Sequence, residues 1–165
     1  MTERSTGFNL SVDELVDKYS RIKDAFVEAD MVMVKSAADS FMTKVESLDT
    51  NEIKKDTLIY EMIKMNVGNI KDNIRSMLAQ KNSTEMRRDF SGLSESMYSF
   101  LRSIKYKGPT IYFQNCPMAF NDNEPANWLS KSPEVINPYL GNKHPKYKAG
   151  MLHCGEIVDS IISKP

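Results

Sequence analysis

The sequence predicts a mainly α protein, an up-and-down four-helix bundle with a small irregular or β-rich C-terminal appendage. Two observations predict it: apolar residues recur every three or four positions through the first two thirds of the chain, and this period is lost after Pro109. A chain of 165 residues suffices for one domain with its own core. We expect residues 10–107 to form the bundle and residues 108–165 to pack on it as an appendage, within one structural domain.

The first predicted helix begins at Ser11, which has the capping-box spacing to Glu14 and follows Leu10, a residue suited to a hydrophobic staple. Asp30 is the predicted N-cap of the second helix, and turn residues at positions 49–51 end it. Short connections favour antiparallel neighbours, which is why we predict an up-and-down bundle.

The third and fourth helices are separated by a break at residues 80–84, where Asn82, Ser83 or Thr84 is the predicted cap. The Gly-Pro pair at 108–109 stops the fourth helix. The apolar stripes predicted to face the core are Leu15, Tyr19, Ile22 and Phe26; Val34, Ala38, Phe41, Val45 and Leu48; Ile59, Ile63, Val67, Ile70, Ile74 and Met77 or Leu78; and Met86, Phe90, Leu93, Met97, Phe100 and Ile104.

After Pro109 the sequence predicts a short strand over residues 110–116, because β-branched and aromatic residues alternate there. Residues 119–150 carry many of the prolines and are predicted to be mostly loop. The segment 155–163 is apolar enough for either a strand or a short helix, and its periodicity does not choose between them.

The composition and the absence of certain motifs argue against several classes of function. The 22 basic residues balance 22 acidic ones, which argues against a nucleic-acid partner and against a polybasic membrane tether. No apolar run is long enough to span a bilayer, and no signal peptide opens the chain as given. No phosphate loop, nucleophile elbow, Cys-x-x-Cys pair or zinc-binding helix is present, so we expect a protein that is not an enzyme.

The residues most suggestive of chemistry are four sulfur-bearing side chains in the last third: Cys116, Met118, Met151 and Cys154. Two thiolates with thioethers form a soft ligand set, which selects Cu(I) or Ag(I) over harder divalent ions. His144 or His153 could add a nitrogen ligand, and Trp128 could cap a soft cation with its ring face.

The same residues allow blander interpretations. Two cysteines are an even number, and in an exported protein they would be expected to form a disulfide pinning the tail to the bundle. In a cytosolic protein they would be reduced, buried thiols. Spacing alone does not choose a metal site over these alternatives.

The string "YFQNCPMAF…NWLS…INPYLGNK…MLHCGE" resembles the signature of a bacterial exported domain family of unknown function, which also occurs at the C-terminus of periplasmic adaptor (membrane-fusion) subunits of copper and silver efflux pumps. The resemblance implies a periplasmic protein that handles Cu(I) or a similar soft metal, with an efflux adaptor as partner. It implies Cys116, Met118, Met151 and Cys154 as ligands. This chain departs from the pattern by an extra segment, His144 to Gly150, before the last element.

Overall fold

Four helices and three strands follow one another along the described part of the chain. The computed structural model describes residues 4–163. The helices are α1 (Thr6–Val27), α2 (Met31–Glu46), α3 (Thr57–Ala79) and α4 (Ser83–Ser103), and the strands are β1 (Ile111–Phe120), β2 (Glu124–Ser130) and β3 (Glu156–Ile161). The mainly α class with a small β-containing C-terminal part is therefore confirmed. The up-and-down direction of the helices and the boundary at residues 107 and 108 stay predictions.

The helices bury the stripes that the sequence predicts. Consecutive helices pack on one another, and α1 reaches α4 where the Tyr19 and Phe90 rings stack at 5.2 Å. Two of the predicted caps are confirmed. Asp30 accepts a hydrogen bond from the Met33 amide at 2.9 Å, and Asn82 accepts from the amide of Thr84 at 2.8 Å.

The predicted start of α1 is wrong. The helix begins at Thr6 and is capped by Ser5, whose hydroxyl accepts from the Phe8 amide at 3.1 Å. Ser11 therefore lies inside the helix, and Glu14 forms an ion pair with Lys44 of α2 instead of closing a capping box. Phe8 extends the buried stripe by another turn. Burial of this residue outweighs the local capping signal at Ser11, six residues after the observed cap Ser5.

The C-terminal third forms an antiparallel sheet in the order β2-β1-β3. The apolar segment near the C-terminus is the strand β3, which settles the open choice between strand and helix. The prediction of loop for residues 119–150 is wrong over Glu124–Ser130, which pair with β1 as β2. Its proline, Pro125, is tolerated because β2 lies at the sheet edge, where a missing N–H interrupts no ladder.

One side chain joins the sheet to two helices. The Tyr19 hydroxyl of α1 lies 2.7 Å from the Ser94 hydroxyl of α4 and accepts from the Leu129 amide of β2 at 2.9 Å. Tyr98 of α4 stacks on Phe113 of β1 with ring centroids 3.9 Å apart. One face of the sheet therefore packs against α4. None of the helices in the described part of the chain combines the length and apolarity needed to cross a membrane.

Candidate soft-metal centre

The two cysteines meet at the edge of the sheet core. Cys116 is buried in the central strand β1, and Cys154 precedes β3 by two residues. Because Asn115 pairs with Glu156, the chain entering β3 passes beside Cys116. The two Sγ atoms lie 3.1 Å apart, and both cysteines are free thiols. A disulfide bond is about 2.05 Å long, so the sulfurs are in contact without being joined.

Asn137 fixes the backbone that carries Cys154. Its side-chain amide nitrogen donates to the Cys154 carbonyl at 2.8 Å, while its oxygen accepts from the amides of Tyr139 and Leu140 at 2.8 and 2.9 Å. Asn137 is fully buried, so these three hydrogen bonds are made away from competing water. Asparagine before proline is a typical turn residue, and here the turn also anchors the thiol segment.

Gly155 lets the chain approach β1 closely enough for the sulfurs to touch. It has φ of +140°, a conformation that side chains rarely adopt. A Cβ at this position would lie 2.6 Å from the Asn115 carbonyl oxygen and 3.0 Å from the tip of the Trp128 ring. Glycine is therefore required by both the backbone angle and the space.

The segment between β2 and β3 covers one face of the sheet around the thiols. Gln114 is fully buried, and its amide nitrogen donates to the carbonyls of residues 132, 133 and 134 at 3.3, 3.4 and 3.2 Å. Tyr139 packs edge-on against Trp128 with ring centroids 6.0 Å apart. Cys116 consequently lies beneath this ordered segment and is buried. Cys154 is half-buried, so it is the cysteine of the pair that solvent can reach.

The local environment keeps the Cys154 thiol protonated. Burial raises the pKa of Cys154 to about 12, and the neighbouring Cys116 adds to the shift. A bound cation reverses this effect because a coordinating thiol gives up its proton. At neutral pH the Cys154 thiol is therefore a weak nucleophile, and a cation that bound there would have to displace its proton.

The donors around the pair fit a soft ion and not a hard one. Across residues 4–163, no group of three or more His, Cys, Asp or Glu side chains could hold a metal ion. Zinc requires about four such ligands, whereas two thiolates, with or without thioethers, suit Cu(I) or Ag(I).

Met118 and Met151 are both half-buried and pack against the hydrophobic core. Met151 shares a turn with Cys154, whose amide donates to the Met151 carbonyl at 3.0 Å. Met118 follows Cys116 by two residues, but the pairing of β1 with β2 is irregular between Cys116 and Phe120, so strict alternation is interrupted there. Their ligand role stays a prediction.

The two histidines have other partners. His144 Nδ1 accepts from the amides of Lys146 and Tyr147, each at 3.1 Å. His153 Nδ1 lies 2.8 Å from the Val135 carbonyl. Within the described residues, neither histidine forms a three-residue metal-binding group with the two cysteines. Trp128 is fully buried beside Gly155, next in sequence to Cys154, and its role as a shield stays a prediction.

Sequence reasoning missed three residues that hold the site together. Asn137 lies in the Asn-Pro-Tyr element of the quoted string, and its buried amide is what holds the Cys154 segment in place. Gln114 is followed in β1 by a second amide, Asn115, but only Gln114 is fully buried, and a buried amide signals a hydrogen-bonding role. Arg87 donates to the carbonyls of Phe26 at 3.2 Å and Pro138 at 3.3 Å, so it ties the Asn-Pro-Tyr turn to α1.

Comparison with known proteins assigns the helical part of the chain. A family model described as "Protein of unknown function (DUF3347)" matches residues 15–107, more than half of the chain. No curated protein and no solved structure matches. The family match ends before Cys116, so the signature motifs of the last third and their link to efflux adaptors stay predictions.

Proposed function

We propose, for a chain that belongs to the DUF3347 family of proteins of unknown function, that it binds Cu(I) or Ag(I) through the thiolates of Cys116 and Cys154 and is not an enzyme. The observation that supports this proposal is the 3.1 Å separation of two thiol sulfurs from segments 38 residues apart, with Cys154 half-exposed. The cation is cargo, taken up and passed on.

Binding would proceed by proton exchange. Each thiol loses its proton, and one monovalent cation takes the place of two protons, leaving a complex of charge minus one. With metal–sulfur bonds of roughly 2.3 Å, the two sulfurs must separate to about 4 Å or more. The half-buried Cys154 is the sulfur that can move, because Cys116 is held in the central strand.

The contacts around Cys154 favour a reversible binding site over a purely structural role for the cysteines. Asn137 and Gly155 already hold the Cys154 segment against β1 without a covalent link. Arg87 and Tyr139 hold the covering segment on the helices and on β2. A preorganised pair of thiols loses little freedom when it binds an ion, which raises affinity.

The family resemblance of the C-terminal motifs supplies the cellular setting of the proposal. We place the protein in the periplasm or otherwise outside the cytoplasm, where it receives a soft metal ion from, or passes it to, the periplasmic adaptor of an efflux pump. Transfer of this kind needs few ligands and one that faces solvent, so that an incoming partner replaces one sulfur at a time. In the proposed architecture the four helices form an up-and-down bundle that carries the site.

A second candidate is a scaffold or interaction domain in which Cys116 and Cys154 form a disulfide. The observation that favours it is the same short sulfur–sulfur contact, which must shorten by only about one ångström to reach bonding distance. Oxidation by a disulfide-exchange partner would remove two protons and two electrons from the pair. The resulting loop closure would stabilise the fold by roughly 4 kcal/mol on the chain-entropy model.

Titration under anaerobic conditions separates the two candidates. The fully reduced protein is titrated with Cu(I) against a chromophoric chelator, alongside Cys154→Ser, Met118→Leu and, as a matched control, the exposed Met65→Leu. We expect capture of one equivalent, lost in Cys154→Ser, weakened in Met118→Leu and unchanged in Met65→Leu. Failure of the reduced, folded protein to capture Cu(I) would overturn the metal proposal, and a count of free thiols before reduction would test the disulfide.

A further inference from the structure

A cationic cavity, which none of the four sulfur residues lines, lies between the start of α4 and the loop from His144 to Gly150. Its volume is about 440 Å³. Among the described residues, the polar side chains that line it are Ser83, Thr84, Arg87, Asn121, Tyr139, Lys143, His144 and Lys146, with Asp122 as the one acidic group. The protein as a whole has no net charge, so this concentration of cations is local.

Arg87 forms the floor of the cavity and has no carboxylate partner among residues 4–163. Its guanidinium donates to two backbone carbonyls, those of Phe26 and Pro138, and lies 5.5 Å from the Phe26 ring centre. Desolvation lowers the pKa of Arg87, which reflects the cost of holding this charge in a half-buried place without an anion. A bound anion would remove that cost.

The extra loop builds the opposite wall. His144 and Lys148 pair through two backbone hydrogen bonds, of 3.2 and 2.9 Å, which closes residues 144–148 into a tight turn. Asp122, in the turn between β1 and β2, accepts from Tyr147 at 2.9 Å and from Lys146 at 3.2 Å. The Asp122 carboxylate is therefore already hydrogen-bonded to Lys146 and Tyr147. These contacts anchor the loop that carries the lysines.

The remaining donors are available to a ligand. The hydroxyls of Ser83 and Thr84 make no hydrogen bond within the described residues, and Lys143 lies at 4.0 Å from Glu28, a loose ion pair at the surface. Asn82 already caps the first amides of α4. The site therefore consists of side chains, and its charge does not depend on the helix end.

From these contacts we propose that the cavity binds a multivalent oxyanion, a phosphate group that is either free or carried by a small organic molecule. The Arg87 guanidinium, the loosely paired Lys143 and two hydroxyls match the oxygens of a tetrahedral anion, and charge-assisted hydrogen bonds of this kind are the strongest available in such a site. The loop from His144 to Gly150 then has a role of its own, independent of the cysteines.

Calorimetric titration of the reduced full-length protein tests the proposal, with inorganic phosphate in one arm and glycerol phosphate in the other, at constant ionic strength in chloride. We expect binding to the wild type to weaken at least about tenfold in Arg87→Gln and severalfold in Lys143→Gln. Arg75→Gln is the matched control, because Arg75 is exposed on α3 and, within residues 4–163, pairs only with Asp72. Equal affinity for the two probes indicates a free anion, and tighter glycerol phosphate indicates an organic phosphate.

His144 supplies a second readout that does not require a stable Arg87 variant. Burial lowers the pKa of His144, and Arg87, Lys146 and Lys148 lower it further against the opposing effect of Asp122. An anion in the cavity favours the charged imidazolium, so the pKa of His144 must rise when phosphate binds. Titration by proton NMR should show this rise at His144. No binding of either probe at millimolar concentration, or equal binding by Arg87→Gln, would refute the proposal.

Discussion

The buried side chain of Asn137 donates a hydrogen bond to the backbone carbonyl of Cys154 at 2.8 Å. This contact links a turn after β2 to the segment before β3, and it holds one thiol against the other. The sulfur–sulfur distance therefore depends on a neutral amide, which lies neither in β1 with Cys116 nor in the segment that carries Cys154.

Replacement of Asn137 by alanine should destabilise the protein and loosen Cys154. The substitution leaves the Cys154 carbonyl and the amides of Tyr139 and Leu140 without their partner, at a cost of about 2–4 kcal/mol. Urea unfolding measures the loss, and labelling of Cys154 by a thiol reagent should become faster. Asn69→Ala is the control, because Asn69 is exposed on α3 and should change stability by less than about 0.5 kcal/mol.

Two glycines should respond in opposite directions to alanine. Gly155→Ala forces a Cβ against the Asn115 carbonyl at 2.6 Å and strains a positive φ, so we expect a loss of at least about 2 kcal/mol. Gly68→Ala lies inside α3 with nothing within 4 Å of the new Cβ, and should gain about 0.5–1 kcal/mol. Thermal unfolding of both variants checks the pair, and a neutral Gly155→Ala would contradict the close approach to β1.

The helices could be predicted because their signal is local and repeated. Every turn of an amphipathic helix adds another apolar residue to the same face, so a single misplaced residue changes little. The start of α1 could not be predicted in this way. Ser5 caps it while also hydrogen-bonding to Glu52 through its amide at 2.9 Å, a contact across 47 residues that no local pattern reveals.

The candidate site could be predicted in composition and not in geometry. Cysteines 38 residues apart meet only because β3 pairs with β1 in a register that carries Cys154 past Cys116. That register depends on Gly155 and on the buried amide of Asn137. The strand β2 escaped prediction for a related reason, since a proline such as Pro125 fits a strand only at a sheet edge or where the pairing is irregular, and neither can be seen in the local sequence.

The reduced protein should react slowly with alkylating reagents near neutral pH. Because burial and the neighbouring Cys116 raise the pKa of Cys154 to about 12, its thiolate is scarce at pH 8. We expect labelling to be at least about a hundredfold slower than in the denatured chain, where an ordinary thiol titrates near 8.5. Mass spectrometry assigns the modified cysteine. Rapid labelling of folded Cys154 at neutral pH would contradict the raised pKa of this thiol.

The same shift makes stability depend on pH in the alkaline range. Cys154 has a higher pKa in the folded state than in the unfolded state, so its contribution is fully present below about pH 8.5. It declines as the pH rises towards 12, because the unfolded chain then gains by releasing the proton. Denaturant unfolding of the reduced protein at pH 7 and pH 10 should show this decline, and Cys154→Ala should show a smaller one.

The hydroxyl of Tyr19 should couple the helices to the sheet. Tyr19→Phe leaves the buried Leu129 amide of β2 without an acceptor and removes the contact with Ser94, so we expect a loss of about 1–3 kcal/mol. Tyr60→Phe is the matched control, because no hydrogen bond to the Tyr60 hydroxyl is found in the described chain. Hydrogen exchange should accelerate at Leu129 in Tyr19→Phe and not in the control. If the helices and the sheet unfold as one cooperative unit, the two regions will lose protection together, and faster exchange confined to β2 would show that the sheet opens independently of the helices.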